Sequence, residues 1–192
     1  IMLEELNLKY KVTKINILKG DQFTPSFSKI SPFNKIPVLK DLKSKKTIFE
    51  SGAILIYLGE KYKKFYDKKD RLKILQWLMA QMAYVGPMFG QHHQFHHYNH
   101  GKSKFGEERY FRISRQIYKD LDRRLSKSKY LACSKYSIAD IATFPWVARH
   151  EIHDIGLKKF KHLTRWFNLI SKRKAVIKGY DFMSRGEIIP KP

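Results

Sequence analysis

Apolar positions in this chain recur mostly every three or four residues, and only near the start do they alternate with a period of two. Met2, Leu3 and Leu6 share one face of a short helix, with Glu4 and Glu5 on the other. From Tyr10 to Ile17 apolar and polar residues alternate, which predicts a strand. Lys19-Gly20-Asp21 is a turn, and Phe23, Phe27 and Ile30 predict a helix over 22–30 that tolerates Pro25 near its start and ends at Pro32. Ile36-Pro37-Val38-Leu39 and Thr47-Ile48-Phe49, joined by a polar turn, predict an antiparallel hairpin. Glu50-Ser51-Gly52 then opens an apolar helix through Tyr57 and Tyr62.

Beyond the turn-rich stretch 63–70 every pattern is helical. Leu72, Leu75, Leu78, Met79 and Met82 mark a helix from Arg71, which Gly86-Pro87 and Gly90 are expected to interrupt or kink. Tyr110, Ile113, Ile117, Leu121 and Leu125 line one face of a long helix over 107–125. Ser137-Ile138-Ala139-Asp140 is a capping box, and Trp166, Phe167 and Ile170 belong to a final helix over 163–173. The order predicts an α+β chain of two domains, residues 1–63 and an all-helical unit at 71–192. The first unit shows three strands and none ahead of its first helix. A leading strand is therefore expected upstream of Ile1, with the present chain an N-terminally truncated copy.

Composition changes this picture little. With 43% apolar residues the chain can bury a core, and no apolar run approaches the roughly 18 residues of a membrane span. The first residues carry Glu4 and Glu5 and read as an amphipathic helix, not a secretory leader. The single cysteine, Cys133, excludes an internal disulfide framework and suits a reducing cytoplasmic setting. The formal charge of +22 invites a nucleic-acid or acidic-membrane partner. Its cations are scattered, however, and lysines far outnumber the arginines that planar phosphate recognition favours. A solvated surface is the better reading, with no nucleic-acid and no membrane partner expected.

Two short elements carry candidate chemistry. Pro37 cannot donate to a ladder, and a cis Ile36-Pro37 bond would turn the Ile36 main chain toward a ligand that pairs with it as an added strand. A plain edge-strand proline explains the dipeptide equally simply. Glu50-Ser51 precedes a helix whose first turn offers free N–H groups and a positive dipole end to a carboxylate, while Glu50 offers charge to an ammonium. The alternative is simple N-capping by Ser51.

Taken together, the order of elements resembles the glutathione transferase superfamily, whose first domain is thioredoxin-like. The segments Leu18-Lys-Gly-Asp-Gln-Phe23, Ser31-Pro-Phe-Asn-Lys-Ile-Pro37, Phe49-Glu-Ser-Gly-Ala-Ile-Leu55, Gln76-Trp-Leu-Met79, Gly86-Pro-Met-Phe-Gly-Gln91, Glu108-Arg-Tyr110 and Tyr136-Ser-Ile-Ala-Asp-Ile-Ala142 resemble its nu class, bacterial glutathione-dependent disulfide-bond oxidoreductases. The resemblance implies glutathione as bound co-substrate, held by Gln22, Ile36, Pro37, Glu50, Ser51 and, more distantly, Arg109. It also implies a homodimer formed through the helices of 71–88 and the first domain. The class holds the glutathione sulfur with a threonine and an asparagine after its first strand, so the catalytic groups are expected upstream of Ile1. Disulfide reduction is the leading expectation. Conjugation of electrophiles over a pocket lined by 79–95, or a non-catalytic interaction module, are the alternatives.

His92, His93, His96, His97 and His100 repeat at spacings of three and four, but no cysteine or carboxylate lies between them, and no metal is expected. His150-Glu-Ile-His153 lacks the spacing of a metalloprotease motif. Cys133 has no second cysteine to make a redox pair and reads as an inert thiol.

Overall fold

The computed structural model describes all 192 residues, Ile1 to Pro192. The chain runs through α1 (Met2–Glu5), a 3₁₀ turn (Asp21–Phe23), α2 (Pro25–Ser28), β1 (Val38–Asp41), β2 (Lys46–Phe49) and α3 (Ser51–Tyr62). It continues as α4 (Arg71–Ala80), a π turn (Gln81–Val85), α5 (Gly86–His92), a second π turn (His93–Tyr98) and α6 (Lys104–Ser126). The last elements are α7 (Ile138–Val147), α8 (Lys161–Ser171) and α9 (Lys174–Tyr180).

The predicted hairpin forms, antiparallel, with Val38 opposite Phe49 and Asp41 opposite Lys46. Its tip is tied to α3. Asp41 accepts from Tyr57 Oη at 2.6 Å and from the Lys43 and Ser44 amides at 3.1 Å, and it pairs with Lys61. The Lys61 ammonium, followed by the Tyr57 hydroxyl, holds the Asp41 carboxyl below the usual carboxylate range.

The strand predicted from Tyr10 to Ile17 does not form. That segment is irregular, with Tyr10, Val12 and Ile17 exposed. A period of two is only a disposition. A strand needs a ladder partner for its N–H and C=O groups, and the sole sheet here is the two-stranded hairpin.

Two cores meet at α7. One joins Phe89, Tyr118, Leu121, Phe144, Trp166 and Phe167 from α5 to α8; the other joins Met2, Leu55, Leu58, Ile74, Leu78, Ile138 and Ile141 from α1, α3, α4 and α7. Being packed on several sides, α7 is apolar nearly all round, with buried Asp140 as its one charge. The capping box is present, and the Asp140 carboxylate accepts from Leu131 N (2.9 Å), Trp166 Nε1 (2.8 Å), Ser137 N and Ser137 Oγ (both 3.0 Å). One side chain thus fixes the start of α7, the loop before it and α8.

Gly86-Pro87 and Gly90 do not interrupt the helix as expected. The chain stays helical from Arg71 to Tyr98 because the π turn before Gly86 widens the hydrogen-bond spacing where Pro87 lacks a donor. Space at 86 is tight: a Cβ there would sit 2.7 Å from Gln81 Nε2 and 3.2 Å from Trp146 Nε1, so both side chains would have to shift. The short α9 is absent from the sequence expectation. It packs on α1, where Arg173 binds Glu5 through two bonds of 2.6 and 2.7 Å and Lys178 reaches Glu4 at 2.9 Å.

Candidate functional site

The hairpin register decides where the two candidate elements meet. Because Val38 faces Phe49, the residues just before β1 and just after β2 lie side by side at the open end of the hairpin. Ile36-Pro37 and Glu50-Ser51 are therefore neighbours. The Ile36-Pro37 bond is cis, and the approach to it is pinned by buried Ser31, whose hydroxyl donates to Lys35 O (2.7 Å) and accepts from Lys35 N (3.0 Å). The Ile36 N–H and C=O take no partner among the loop and side-chain hydrogen bonds, and the residue is 49% exposed. An open donor and acceptor stand together there, as on a sheet edge.

Glu50 occupies the N-cap position of α3 with φ +67°, a left-handed conformation that a residue other than glycine adopts at a cost. Its C=O accepts the first helical bond, from Ile54 N at 3.0 Å, and its exposed carboxylate makes no cap bond. Ser51 is the first residue of α3, so it does not act as the N-cap. Its hydroxyl donates to Met82 Sδ at 3.6 Å, a weak acceptor that a carboxylate oxygen would outcompete. Met82 also crowds Gly52, where a Cβ would lie 3.0 Å from the sulfur. The first turn of α3 thus lies against the segment that follows α4.

Gln22 sits in the 3₁₀ turn, with Nε2 donating to Ile17 O at 3.3 Å and a buried Oε1 that has no partner. Arg109 is exposed on α6, lying over its neighbour Tyr110. Its helix α6 packs on α5, α8 and the second π turn, and α3 packs on the hairpin and α7.

The histidines divide by burial. His92 and His153 are fully buried, with His92 Nε2 at 2.9 Å from His153 O and Tyr118 Oη at 2.7 Å from His153 Nδ1. His93 stacks on His153 at 4.7 Å. Burial lowers the pKa of His92, of His93 (to about 4) and, further still, of His153, so this group is neutral. His96 and His100 lie nearer the surface beside Glu107. Burial also raises the Cys133 pKa, which favours the unreactive thiol. Sequence reading did not find the roles of Met82 and Ser31, because neither residue type signals a contact with a remote element.

Comparison with known proteins adds to this geometry. The family model of the glutathione S-transferase N-terminal domain matches residues 1–61, and that of the C-terminal domain matches residues 78–174. The chain belongs to the glutathione S-transferase family. This glutathione S-transferase chain is 39% identical over 182 residues to the disulfide-bond oxidoreductase YfcG of Escherichia coli (strain K12), a match covering 91% of this chain and 85% of YfcG. Two solved structures are similar throughout. A glutathione transferase from Burkholderia graminis, with two glutathione molecules bound per subunit, has a TM-score of 0.87 at 36% identity, covering 96% of this chain and 82% of its own. A glutathione transferase from Pseudomonas putida, with one glutathione disulfide bound per subunit, has a TM-score of 0.82 at 38% identity, covering 91% and 81%. The two-part glutathione S-transferase fold expected from the sequence is therefore the observed one, with a reduced sheet of two strands in its first part. No helix is long and apolar enough to cross a membrane.

Proposed function

We propose that this chain binds glutathione and serves glutathione-dependent disulfide reduction in the cytoplasm. The observation that carries the reading is the open end of the hairpin, where the unpaired Ile36 main chain lies beside Glu50 and the N-terminal turn of α3. The cysteinyl unit of glutathione pairs with Ile36 as an added strand, against Pro37. The γ-glutamyl carboxylate sits on the first turn of α3 and takes the Ser51 hydroxyl away from Met82, and Glu50 receives the γ-glutamyl ammonium. The unpartnered Gln22 Oε1 is a further polar group for the peptide. Arg109 joins this set only as an outlying candidate, on the resemblance that suggested it.

The chemistry is thiol–disulfide exchange. Bound glutathione thiolate attacks one sulfur of a small disulfide, forming a mixed disulfide and releasing one thiolate. A second glutathione thiolate then attacks the mixed disulfide, giving glutathione disulfide and the second thiolate. The relatives support both ends of this cycle: YfcG bears the name of a disulfide-bond oxidoreductase, and the Pseudomonas putida structure holds glutathione disulfide.

The test is reduction of hydroxyethyl disulfide by the protein, coupled through glutathione reductase to NADPH oxidation. Turnover that requires glutathione is expected. Rates no faster than the uncatalysed exchange contradict the reading. A second reading, conjugation of electrophiles, is favoured by Met79 and Tyr84, which are 42% and 47% exposed beside Met82 and offer apolar surface near the site. Rapid turnover of a chloronitrobenzene with poor disulfide reduction would select it. The resemblance implies a homodimer through this region, and a monomer by light scattering would exclude one.

A further inference from the structure

The sequence offers no carboxylate between the clustered histidines, but the fold supplies one from outside the cluster. His96, on the second π turn, and His100, four residues on and just past its end, meet Glu107 from the first turn of α6. One donor atom from each lies within 4.8 Å of the other two. We propose that His96, His100 and Glu107 form a binding site for a borderline divalent cation, zinc above all, separate from the Ile36–Ser51 site.

Each ligand is suited to this. The two oxygens of Glu107 are divided: Oε1 accepts from Gly101 N at 2.7 Å, and Oε2 points to His100 Nδ1 at 3.1 Å. The carboxylate is thus oriented by the turn it closes, with one oxygen left for the ion. His96 is held between aromatic faces, stacked on His92 at 4.7 Å and on Phe111 at 5.7 Å. His100 is the adjustable member, its side chain 71% exposed. Zinc bonds of about 2.05 Å at tetrahedral angles put ligand atoms about 3.3 Å apart. The ligand atoms lie within 4.8 Å of one another, so binding draws them together by up to about 1.5 Å, and exposed His100 is the freest of them to move.

Lys102 is turned to Asn99 Oδ1 at 3.1 Å and Lys104 lies 3.9 Å from Glu108, so neither neutralises Glu107. Asp154 Oδ2 lies 3.9 Å from His96 Nε2 on an exposed side chain, close enough to supply a fourth oxygen or to hold a bound water. Two imidazoles with carboxylate oxygen form a donor set that suits zinc and not magnesium, which prefers oxygen alone. The bound ion would clasp the turn at 99–103 by joining the segments on either side of it.

The test is titration of untagged protein with zinc chloride at neutral pH, read by competition with a chromogenic chelator. One equivalent is expected to bind to the unaltered chain and to raise its unfolding temperature. His100→Ala and Glu107→Gln should each weaken that equivalent at least about tenfold and abolish the temperature shift. His97→Ala, which alters an exposed histidine of the same turn outside the triad, should leave both unchanged. The far-UV spectrum of metal-free His100→Ala should match that of the unaltered protein. Absence of a stoichiometric site, retention of full affinity in His100→Ala, or equal loss in His97→Ala would overturn the proposal. Glutathione binding does not enter the readout, so the result is independent of the proposed function.

Discussion

Acid should destabilise this protein before Asp41 and Asp67 protonate. His93 and His153 stack in a site where burial lowers both pKa values, His93 to about 4 and His153 further. In the unfolded chain each imidazole protonates near its ordinary value of about 6.5. Between that value and the folded pKa the unfolded state therefore binds more protons than the native one, and stability falls as pH falls. For a fully shifted group, linkage integrates to a loss of about 2 kcal/mol between roughly pH 7 and pH 5. His153 is fully buried and takes the whole of this. His93 is only half-buried, so solvent screening reduces its share to about 1 kcal/mol. These two shares come to about 3 kcal/mol, a large part of the roughly 5–15 kcal/mol that holds a typical domain together, and His92 and His150, whose pKa values burial also lowers, act in the same direction. Asp41 and Asp67 are held below the usual carboxylate range by Lys61 and Lys135 and lose their contributions only below about pH 4, outside the window. Urea denaturation followed by circular dichroism at the two pH values measures the difference, and His153→Gln should remove the larger share of it. A loss under about 1 kcal/mol, or an identical loss in His153→Gln, would refute the reasoning.

Other substitutions test the scaffold. Asp140→Ala leaves the Leu131, Ser137 and Trp166 N–H groups and the Ser137 hydroxyl without their acceptor, at about 1–3 kcal/mol each, so a loss of at least about 4 kcal/mol is expected in the urea midpoint. Asp140→Asn keeps one acceptor oxygen and should lose less than Asp140→Ala; equal losses, or an alanine variant within about 1 kcal/mol of the parent, would contradict this account. Arg173 both binds Glu5 and lies 4.2 Å from the Tyr136 ring centroid. Arg173→Ala should cost about 3 kcal/mol and Arg173→Lys less, and a change under about 0.5 kcal/mol for the alanine variant would show that the α1–α9 contact contributes nothing.

Much of this architecture was legible because it is locally encoded. The period of α6, the capping box of α7 and the hairpin ahead of α3 each follow from contiguous residues. The segment from Tyr10 to Ile17 was misread because alternation describes a face, whereas a strand exists only through a partner. The interruption expected at Gly86-Pro87 is taken up by a π turn, which can absorb a proline, while Trp146 and Gln81 approach Gly86 closely. At the candidate site the types of Ile36, Glu50 and Ser51 were readable, but their adjacency depends on the register of Val38 with Phe49. The approach of Glu107 to His96 and His100, across a turn, was likewise beyond any spacing rule.

The central claim is that Glu50 and the first turn of α3 hold the γ-glutamyl end of glutathione beside the Ile36 main chain. Calorimetric titration of reduced glutathione into the protein and its Ser51→Ala and Glu50→Gln variants tests it most directly. Each variant removes a hydrogen bond to a charged group, about 1.5–3 kcal/mol, and should weaken binding by about ten- to more than a hundredfold while leaving the urea midpoint nearly unchanged. Saturable binding of equal affinity in all three proteins, or no binding to the unaltered one, would contradict it.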